Sequence, residues 1–229
     1  MNQRRAIILF LRDEQEEALL KPLPQGCVAG GYRQLNRRVA ERLSEAANLT
    51  ADLIVVGTER ISGLTTIPQR GVGFGERITN ALCDVFALGY GHAVVVGNDC
   101  PTLAPNEIAD AFAALQQGAA ITAAPAHDGG AYLVGAAADS FTPTTFVSLP
   151  WQTESLFAAL LALPAAASVG PIRADFDTWA SAAARHALRQ LVGFTIRTFF
   201  PFRIQPRSLQ WHSIWRAIAR PHLPAPPSI

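Results

Sequence analysis

Unbroken apolar runs recur along the first half of the chain, namely AIILFL at 6–11, DLIVVG at 52–57 and HAVVVG at 92–97. A strand with one face in water alternates apolar and polar residues, whereas a strand covered on both faces is apolar throughout. The three runs therefore predict parallel strands buried between two other layers. Two later runs, AAITAAP at 119–125 and AYLVG at 131–135, predict further strands.

The segments between these runs show helical periodicity. Apolar residues recur at intervals of three or four in segments 32–46, 75–89 and 104–118, which is the spacing of one helix face. Gly89 and Gly118 end two of the segments, and glycine is common just beyond a helix. Strands that alternate with helices predict an α/β fold with a mainly parallel sheet.

Composition narrows the class of protein. The 229 residues are 49% hydrophobic, which is enough for a large core, and the net charge of +1 gives no overall field that favours nucleic acid. The three cysteines fit neither a zinc pattern nor a disulfide framework, which favours a reducing compartment. Acidic residues follow the first apolar run where a signal peptide would be cleaved, and no segment has the roughly 20 apolar residues of a membrane span. We therefore predict a cytoplasmic protein that does not bind nucleic acid.

The character of the chain changes near residue 190. No acidic residue follows Asp177, while arginines and aromatic residues are frequent. We predict one α/β domain over 1–190 and a basic, aromatic C-terminal extension over 191–229. Two interpretations of its segment WHSIWRAIAR stay open: a peripheral helix on an anionic membrane, or a final helix on the body or a second subunit. The short apolar stripe favours the second interpretation.

The run VVVGNDCPTL, residues 94–103, places a carboxylate directly after a buried strand. Ligands of open α/β sheets bind beyond the carboxyl ends of the strands, where Asp99 is expected. Gly97 allows the backbone to approach a ligand closely, and Pro101 ends the strand. Asp99 is therefore a candidate ligand for Mg²⁺ or Mn²⁺ against a diphosphate, and the alternative is a cap for the following turn.

Further motifs are candidates for the same site. Asp128 opens a DGG sequence before another strand, although an ordinary Asp-Gly turn is the commoner outcome. Asp175 and Asp177, in DFDT, are spaced to share a divalent ion if the backbone is extended, or Asp177 caps the next helix. GVGFGER at 71–77 is a glycine-rich approach to a helix, but it lacks the P-loop and dinucleotide patterns.

These motifs occur in the order of a known family. GFGERITNALCDVFALGYGHAVVVGNDCPTL, AAPAHDGGAYLVG, LPWQTESLF and DFDT together resemble bacterial glycosyltransferase-like proteins of GT-A fold. Some of those proteins are named for arsenosugar biosynthesis or for association with radical-SAM and selenodomain proteins. The set is also similar to related guanylyltransferases that act on phospholactate or phosphoenolpyruvate. The resemblance covers residues 71–178 and implies a nucleotide-diphospho-sugar transferase fold, a three-layer α/β/α sandwich with a mainly parallel sheet.

The resemblance also implies roles for the matching residues. Asp99 would bind Mg²⁺ or Mn²⁺ and act in catalysis, with Asp177 or Asp175 as a second metal ligand. The matching nucleotide-binding positions are Gly75, Glu76, Arg77, Gly97, Asn98 and Asp99. The acceptor or sugar side would be formed by Asp128, as a second catalytic residue, and by Gly129, Gly130, Trp151 and Thr153. For Trp151, core packing is an equal alternative.

The first third of the chain departs from the family pattern. Where relatives have a loop like AKxPxPGxVKTRL, this chain has LRDEQEEALLKPLPQGCVAGGYRQL, and Lys21 is its only lysine. Arginines would have to supply the positive charge at the phosphates, and the candidates are Arg33, Arg37, Arg38 and Arg77. Loss of the lysine-threonine-arginine core would weaken stabilisation of an attacked α-phosphate.

Three functions follow from this pattern. The favoured hypothesis is metal-dependent transfer from a nucleotide-activated sugar to a small-molecule acceptor. The alternatives are nucleotidyl transfer from a nucleoside triphosphate to a small phosphorylated acid, and nucleotide binding without catalysis. A shared fold does not select among them.

Overall fold

The structure is a computed structural model that describes residues 3–13, 16–17, 28–47, 51–100 and 103–173. Several predictions from the sequence lie outside the described residues. They concern Lys21, Asp175, Asp177, the domain boundary near residue 190 and the extension over 191–229. These remain predictions.

Within the described residues, strands and helices alternate along the chain. The strands are β1 Arg5–Phe10, β2 Asp52–Val56, β3 Thr65–Ile67, β4 His92–Val96, β5 Ile121–Pro125, β6 Ala131–Ala137 and β7 Ala166–Ser168. The helices are α1 Val28–Ala47, α2 Phe74–Ala87, α3 Pro105–Gln116, α4 Pro143–Val147 and α5 Leu156–Leu161, with a 3-10 turn at Ala138–Ser140.

The strands form one sheet in the order β3-β2-β1-β4-β6-β5-β7. β1 pairs in parallel with β2 and β4, β2 pairs in parallel with β3, and β5 pairs in parallel with β7. β6 runs antiparallel to both of its neighbours, β4 and β5. The start of β6 therefore lies at the same edge of the sheet as the end of β4, and Val96 is opposite Leu133.

Both faces of the sheet are covered by helices. Ile7 and Leu9 of β1 pack into a core with apolar residues of α1 and α3, while Ala6 and Ile8 pack into a second core with residues of α2 and α5. Successive strand residues point to opposite faces, so a strand between two cores must be apolar at every position. The unbroken apolar runs thus have a direct structural reason.

The predicted architecture is confirmed: the molecule is a three-layer α/β/α sandwich with a mostly parallel sheet. The predicted strands and long helices are present, and their ends differ by a few residues from the apolar patterns. The sequence pattern missed β3, β7, α4 and α5, which are too short to show a clear period. Within the described residues, no helix combines the length and apolar character that crossing a bilayer requires.

Candidate functional site

A cleft of about 420 Å³ lies at the carboxyl edge of the sheet. It forms there because β1 and β4 end at this edge and the antiparallel β6 begins at it. Eight of the residues predicted from the sequence line it: Arg77, Gly97, Asn98, Asp99, Asp128, Gly130, Trp151 and Thr153. The fold therefore brings together residues from motifs that are far apart in the chain.

Gly97 permits the observed position of the Asp99 carboxylate. A Cβ atom on residue 97 would lie 2.5 Å from Asp99 Oδ1, which is inside van der Waals contact. The absence of a side chain at Gly97 thus allows the carboxylate to fold back over the end of β4, where it lines the cleft. This is the steric reason for a glycine between the strand and the aspartate.

Side-chain hydrogen bonds hold the loop after β4 in place. Asn98 Nδ2 donates to Asn36 Oδ1 of α1 at 2.7 Å, and Asn36 Nδ2 donates to Glu59 Oε2 at 2.6 Å. Asn36 is 2% exposed and Asn98 is 8% exposed, so their polar atoms depend on these partners. The two bonds fix the orientation of both amides and hold the residue next to Asp99 in place.

Asn36→Ala is expected to lower the free energy of unfolding by about 1–3 kcal/mol, because it leaves buried polar atoms of Asn98 unpaired. Denaturant unfolding of the full chain measures the loss. Asn80→Ala is the control, because Asn80 makes a single exposed hydrogen bond to the Arg70 carbonyl. Equal losses for the two variants would show that these side-chain hydrogen bonds do not stabilise the loop.

The DGG sequence forms the tight turn between β5 and β6. Asp128 Oδ1 accepts a hydrogen bond from the Gly130 amide at 2.8 Å, which leaves the exposed carboxylate anchored at the cleft. Gly129 has φ +85°, and a Cβ there would lie 2.0 Å from the Glu154 carbonyl oxygen. The Phe157 amide also donates to the Gly129 carbonyl at 3.0 Å. The turn is therefore packed against the segment that follows Trp151.

Trp151 both packs against other aromatic residues and lines the cleft, so both interpretations of the sequence apply to it. Its Nε1 donates to the Phe146 carbonyl at 3.0 Å, and its ring centroid lies 5.0 Å from that of Phe146 and 5.7 Å from that of Phe74. The ring also lines the cleft. A packed aromatic cluster thus forms one wall of the candidate site, and the wall is rigid because the indole is held by both a hydrogen bond and ring contacts.

Two predicted nucleotide-binding residues have local structural contacts instead of a place on the cleft lining. A Cβ on Gly75 would lie 2.6 Å from Trp151 Cδ1, so the glycine allows α2 to pack closely against the aromatic wall. Glu76 Oε2 accepts from the Val72 amide at 2.8 Å and satisfies a free N–H before α2. Contact of either residue with a nucleotide remains a prediction.

The arginines that line the cleft are paired with glutamates. Arg12 Nη1 lies 3.0 Å from Glu17 Oε2, and these side chains are 19% and 6% exposed. Arg77 Nη1 lies 3.3 Å from Glu16 Oε2, and Arg77 Nε donates to the Gly71 carbonyl. Part of the positive charge at the cleft is therefore already neutralised by this chain.

A partly buried ion pair is bonded to Tyr132, a residue of the cleft lining. Arg173 Nε donates to Glu107 Oε1 at 2.8 Å, and the Tyr132 hydroxyl lies 2.7 Å from the same oxygen. Burial favours the neutral form of Glu107, but hydrogen bonds from Arg173, Tyr132 and the Ala104 amide outweigh it and lower the pKa of the carboxyl group. Burial and Glu107 raise the pKa of Tyr132. Arg173 stands two positions before Asp175 in the chain.

The donor set at the cleft suits a hard divalent cation. Asp99 supplies carboxylate oxygens, which are the ligands that Mg²⁺ and Mn²⁺ favour. The described residues contain no group of three or more acidic, histidine or cysteine side chains that could hold a metal ion. Mg²⁺ typically needs only one or two carboxylates when substrate phosphates complete its shell, so the residues present fit such an ion.

Sequence reasoning missed several residues of the lining, among them Phe10, Arg12, Glu17, Gln69, Tyr132 and Gln152. Gln152 stands between two predicted residues, Trp151 and Thr153, and this position could have indicated that it also lines the cleft. The others are placed by tertiary contacts. Gln69 Nε2, for example, donates to the Leu11 carbonyl at 2.8 Å across the ends of β1 and β3.

Comparison with known proteins supports a GT-A-like fold. Residues 46–153 match a family model described as "Uncharacterized protein conserved in bacteria (DUF2064)". No curated protein sequence matches the chain. Arsenosugar or guanylyltransferase specificity remains a prediction.

Solved structures share the fold at low sequence identity. A putative nucleotide-diphospho-sugar transferase from Desulfovibrio desulfuricans G20 has a TM-score of 0.62 and 22% identity, with 85% of this chain and 97% of that chain covered. Rv0371c from Mycobacterium tuberculosis, in a complex with manganese, has a TM-score of 0.51 and 15% identity, with 84% and 100% covered. A CMP:2-keto-3-deoxy-manno-octonic acid synthetase complexed with CTP has a TM-score of 0.50 and 12% identity, with 83% and 98% covered. At such identities the likeness establishes the fold alone.

Proposed function

We propose that the protein is a transferase that uses a nucleotide-activated sugar with the help of a divalent metal ion. The observation behind the proposal is that Asp99 and Asp128, from different motifs, line one cleft at the carboxyl edge of the sheet. Ligands of open α/β sheets bind at this edge. Asp99 would bind the ion that neutralises a leaving diphosphate, and Asp128 would orient or deprotonate an acceptor hydroxyl.

The similar structures support the metal and the nucleotide. One of them is named as a putative nucleotide-diphospho-sugar transferase, and another was obtained as a complex with manganese. When bound, the metal would supply positive charge at the diphosphate. Asp175 and Asp177, outside the described residues, are proposed as its further ligands.

The ion pairs at the cleft favour a sugar donor over a nucleoside triphosphate. A triphosphate needs strong positive charge, but Arg12 and Arg77 already lie beside Glu17 and Glu16. A sugar diphosphate has less negative charge, so one metal ion neutralises a larger share of it. Nucleotidyl transfer and binding without catalysis are the other outcomes that the following experiment distinguishes.

Isothermal calorimetry with UDP-, GDP-, CDP- and dTDP-linked sugars and with GTP, each with and without Mn²⁺, tests the proposal. We expect Mn²⁺-dependent binding of one nucleotide sugar, weakened at least about tenfold, or about 1.4 kcal/mol, in Asp99→Asn. Asp110→Asn is the matched control, because Asp110 is exposed on α3 and does not line the cleft.

The outcomes separate the three functions. Selective binding of GTP would favour nucleotidyl transfer. Binding of a nucleotide without turnover of its sugar or phosphate bonds would favour the non-catalytic alternative. Equal affinities of wild type and Asp99→Asn would refute the role of Asp99.

A further inference from the structure

Gln152 is a strained residue in an otherwise well-anchored turn. Its φ is +62°, in the left-handed region that residues other than glycine seldom adopt. The turn around it is fixed: the Trp151 amide donates to the Leu149 carbonyl at 2.7 Å, and Thr153 Oγ1 donates to the Pro150 carbonyl at 2.7 Å. Gln152 itself is exposed and lines the cleft.

The neighbouring contacts hold this geometry in place. Gly129 of the DGG turn lies directly against the backbone of Glu154, and the Leu156 amide donates to the Thr153 carbonyl at 3.2 Å. In contrast, the carboxamide of Gln152 has no hydrogen-bond partner among the described residues. Strained residues that the surrounding structure holds in place cluster at ligand sites, so the exposed carboxamide is positioned to contact a ligand.

The chemistry at this position favours a neutral, hydroxylated ligand. A carboxamide donates and accepts hydrogen bonds, as a hydroxyl group does. Asp128 belongs to the DGG turn that packs against Glu154, and its negative charge disfavours a phosphate or a carboxylate beside Gln152. Gln152 follows Trp151, whose ring is a packed apolar surface of the kind that the apolar face of a sugar contacts.

We propose that Gln152 is a specificity-determining residue that hydrogen-bonds a hydroxyl of the transferred sugar. This inference rests on the proposed function, and it names the part of the substrate that the wall formed by residues 151–153 recognises. The carboxamide does not take part in the chemistry. It selects the sugar and places it in the cleft.

The test measures dissociation constants by calorimetry with Mn²⁺ for two probes. One is whichever of UDP-glucose, GDP-mannose and dTDP-glucose binds wild type most tightly, and the other is its parent nucleoside diphosphate. In Gln152→Gly we expect the affinity for the nucleotide sugar to fall about fivefold to tenfold and that for the diphosphate to stay unchanged.

A matched control separates recognition from backbone strain. Ala165 is also in the left-handed region, with φ +53°, and it does not line the cleft. Both Gln152→Gly and Ala165→Gly relieve strain, so each is expected to raise Tm by about 2 °C. Only Gln152→Gly is expected to change sugar affinity.

Three results would overturn the inference. A fall in Tm for Gln152→Gly, against a rise for Ala165→Gly, would show that the side chain serves the fold. Unchanged affinity of Gln152→Gly for the nucleotide sugar would refute sugar recognition alone and leave the proposed function in place. Failure of wild type to bind any of the nucleotides would refute both proposals.

Discussion

Glu107→Gln is expected to lower the free energy of unfolding at pH 7 by about 3 kcal/mol. The Glu107 side chain is 2% exposed, and Arg173, its partner, is 24% exposed. The substitution keeps the shape of the side chain but leaves the Arg173 guanidinium without a countercharge in a largely buried place. Glutamine keeps one of the two side-chain oxygens, so the substitution also removes the acceptor of either the Tyr132 hydroxyl or the Ala104 amide. Denaturant unfolding followed by far-UV circular dichroism measures the loss.

The pH dependence gives this prediction a second readout. The pKa of Glu107 is lowered in the folded protein, so the folded state binds fewer protons there than the unfolded chain does. The stabilisation is complete above the unfolded pKa of about 4.3 and is lost as the pH falls through the lower folded value. The difference between wild type and Glu107→Gln should therefore shrink on acidification below about pH 4.

Glu45→Gln is the control, because Glu45 is exposed on α1. We expect it to change the free energy of unfolding by less than about 0.5 kcal/mol. A loss below about 1 kcal/mol for Glu107→Gln, or a difference from wild type independent of pH, would contradict the assignment of a stabilising, partly buried ion pair.

Gly129→Ala is expected to cost about 3 kcal/mol of folding free energy and to disturb the cleft. The left-handed φ of +85° is unfavourable for alanine, and the new Cβ would lie 2.0 Å from the Glu154 carbonyl oxygen. The backbone must then separate the DGG turn from the segment after Trp151. Because both segments line the cleft, we expect weaker nucleotide-sugar binding as well as a lower Tm.

Gly63→Ala isolates the conformational part of this cost. Gly63 has φ +82°, nearly the same value, but a Cβ there would meet no atom within 4 Å. Its expected cost is about 1 kcal/mol, from the left-handed backbone alone. Equal losses of stability for the two variants would show that the contact with Glu154 does not constrain the turn.

The sequence alone determined the fold class and most of its central elements. Three short apolar runs without alternation predicted strands with both faces covered, and the structure places β1, β2 and β4 side by side between two cores. Local patterns also placed Asp99 after one strand and Asp128 before another. The ends of these strands can be predicted from the end of each apolar run and from the glycines beside it. These are properties of short segments, so they can be predicted without tertiary information.

Only the tertiary structure decided which of these residues share a cleft. Because β6 is antiparallel to β4, Asp128, before β6, lies at the same edge of the sheet as Asp99, after β4. The direction of a strand depends on pairing between segments that are distant in the chain. The same holds for the Glu107–Arg173 ion pair and for the contact of Gly129 with Glu154, whose partners are set by packing. The left-handed backbone of Gln152 is a third case, since glutamine has no local preference for it and the surrounding hydrogen bonds hold it there. Such features depend on long-range contacts, which periodicity along the chain does not encode.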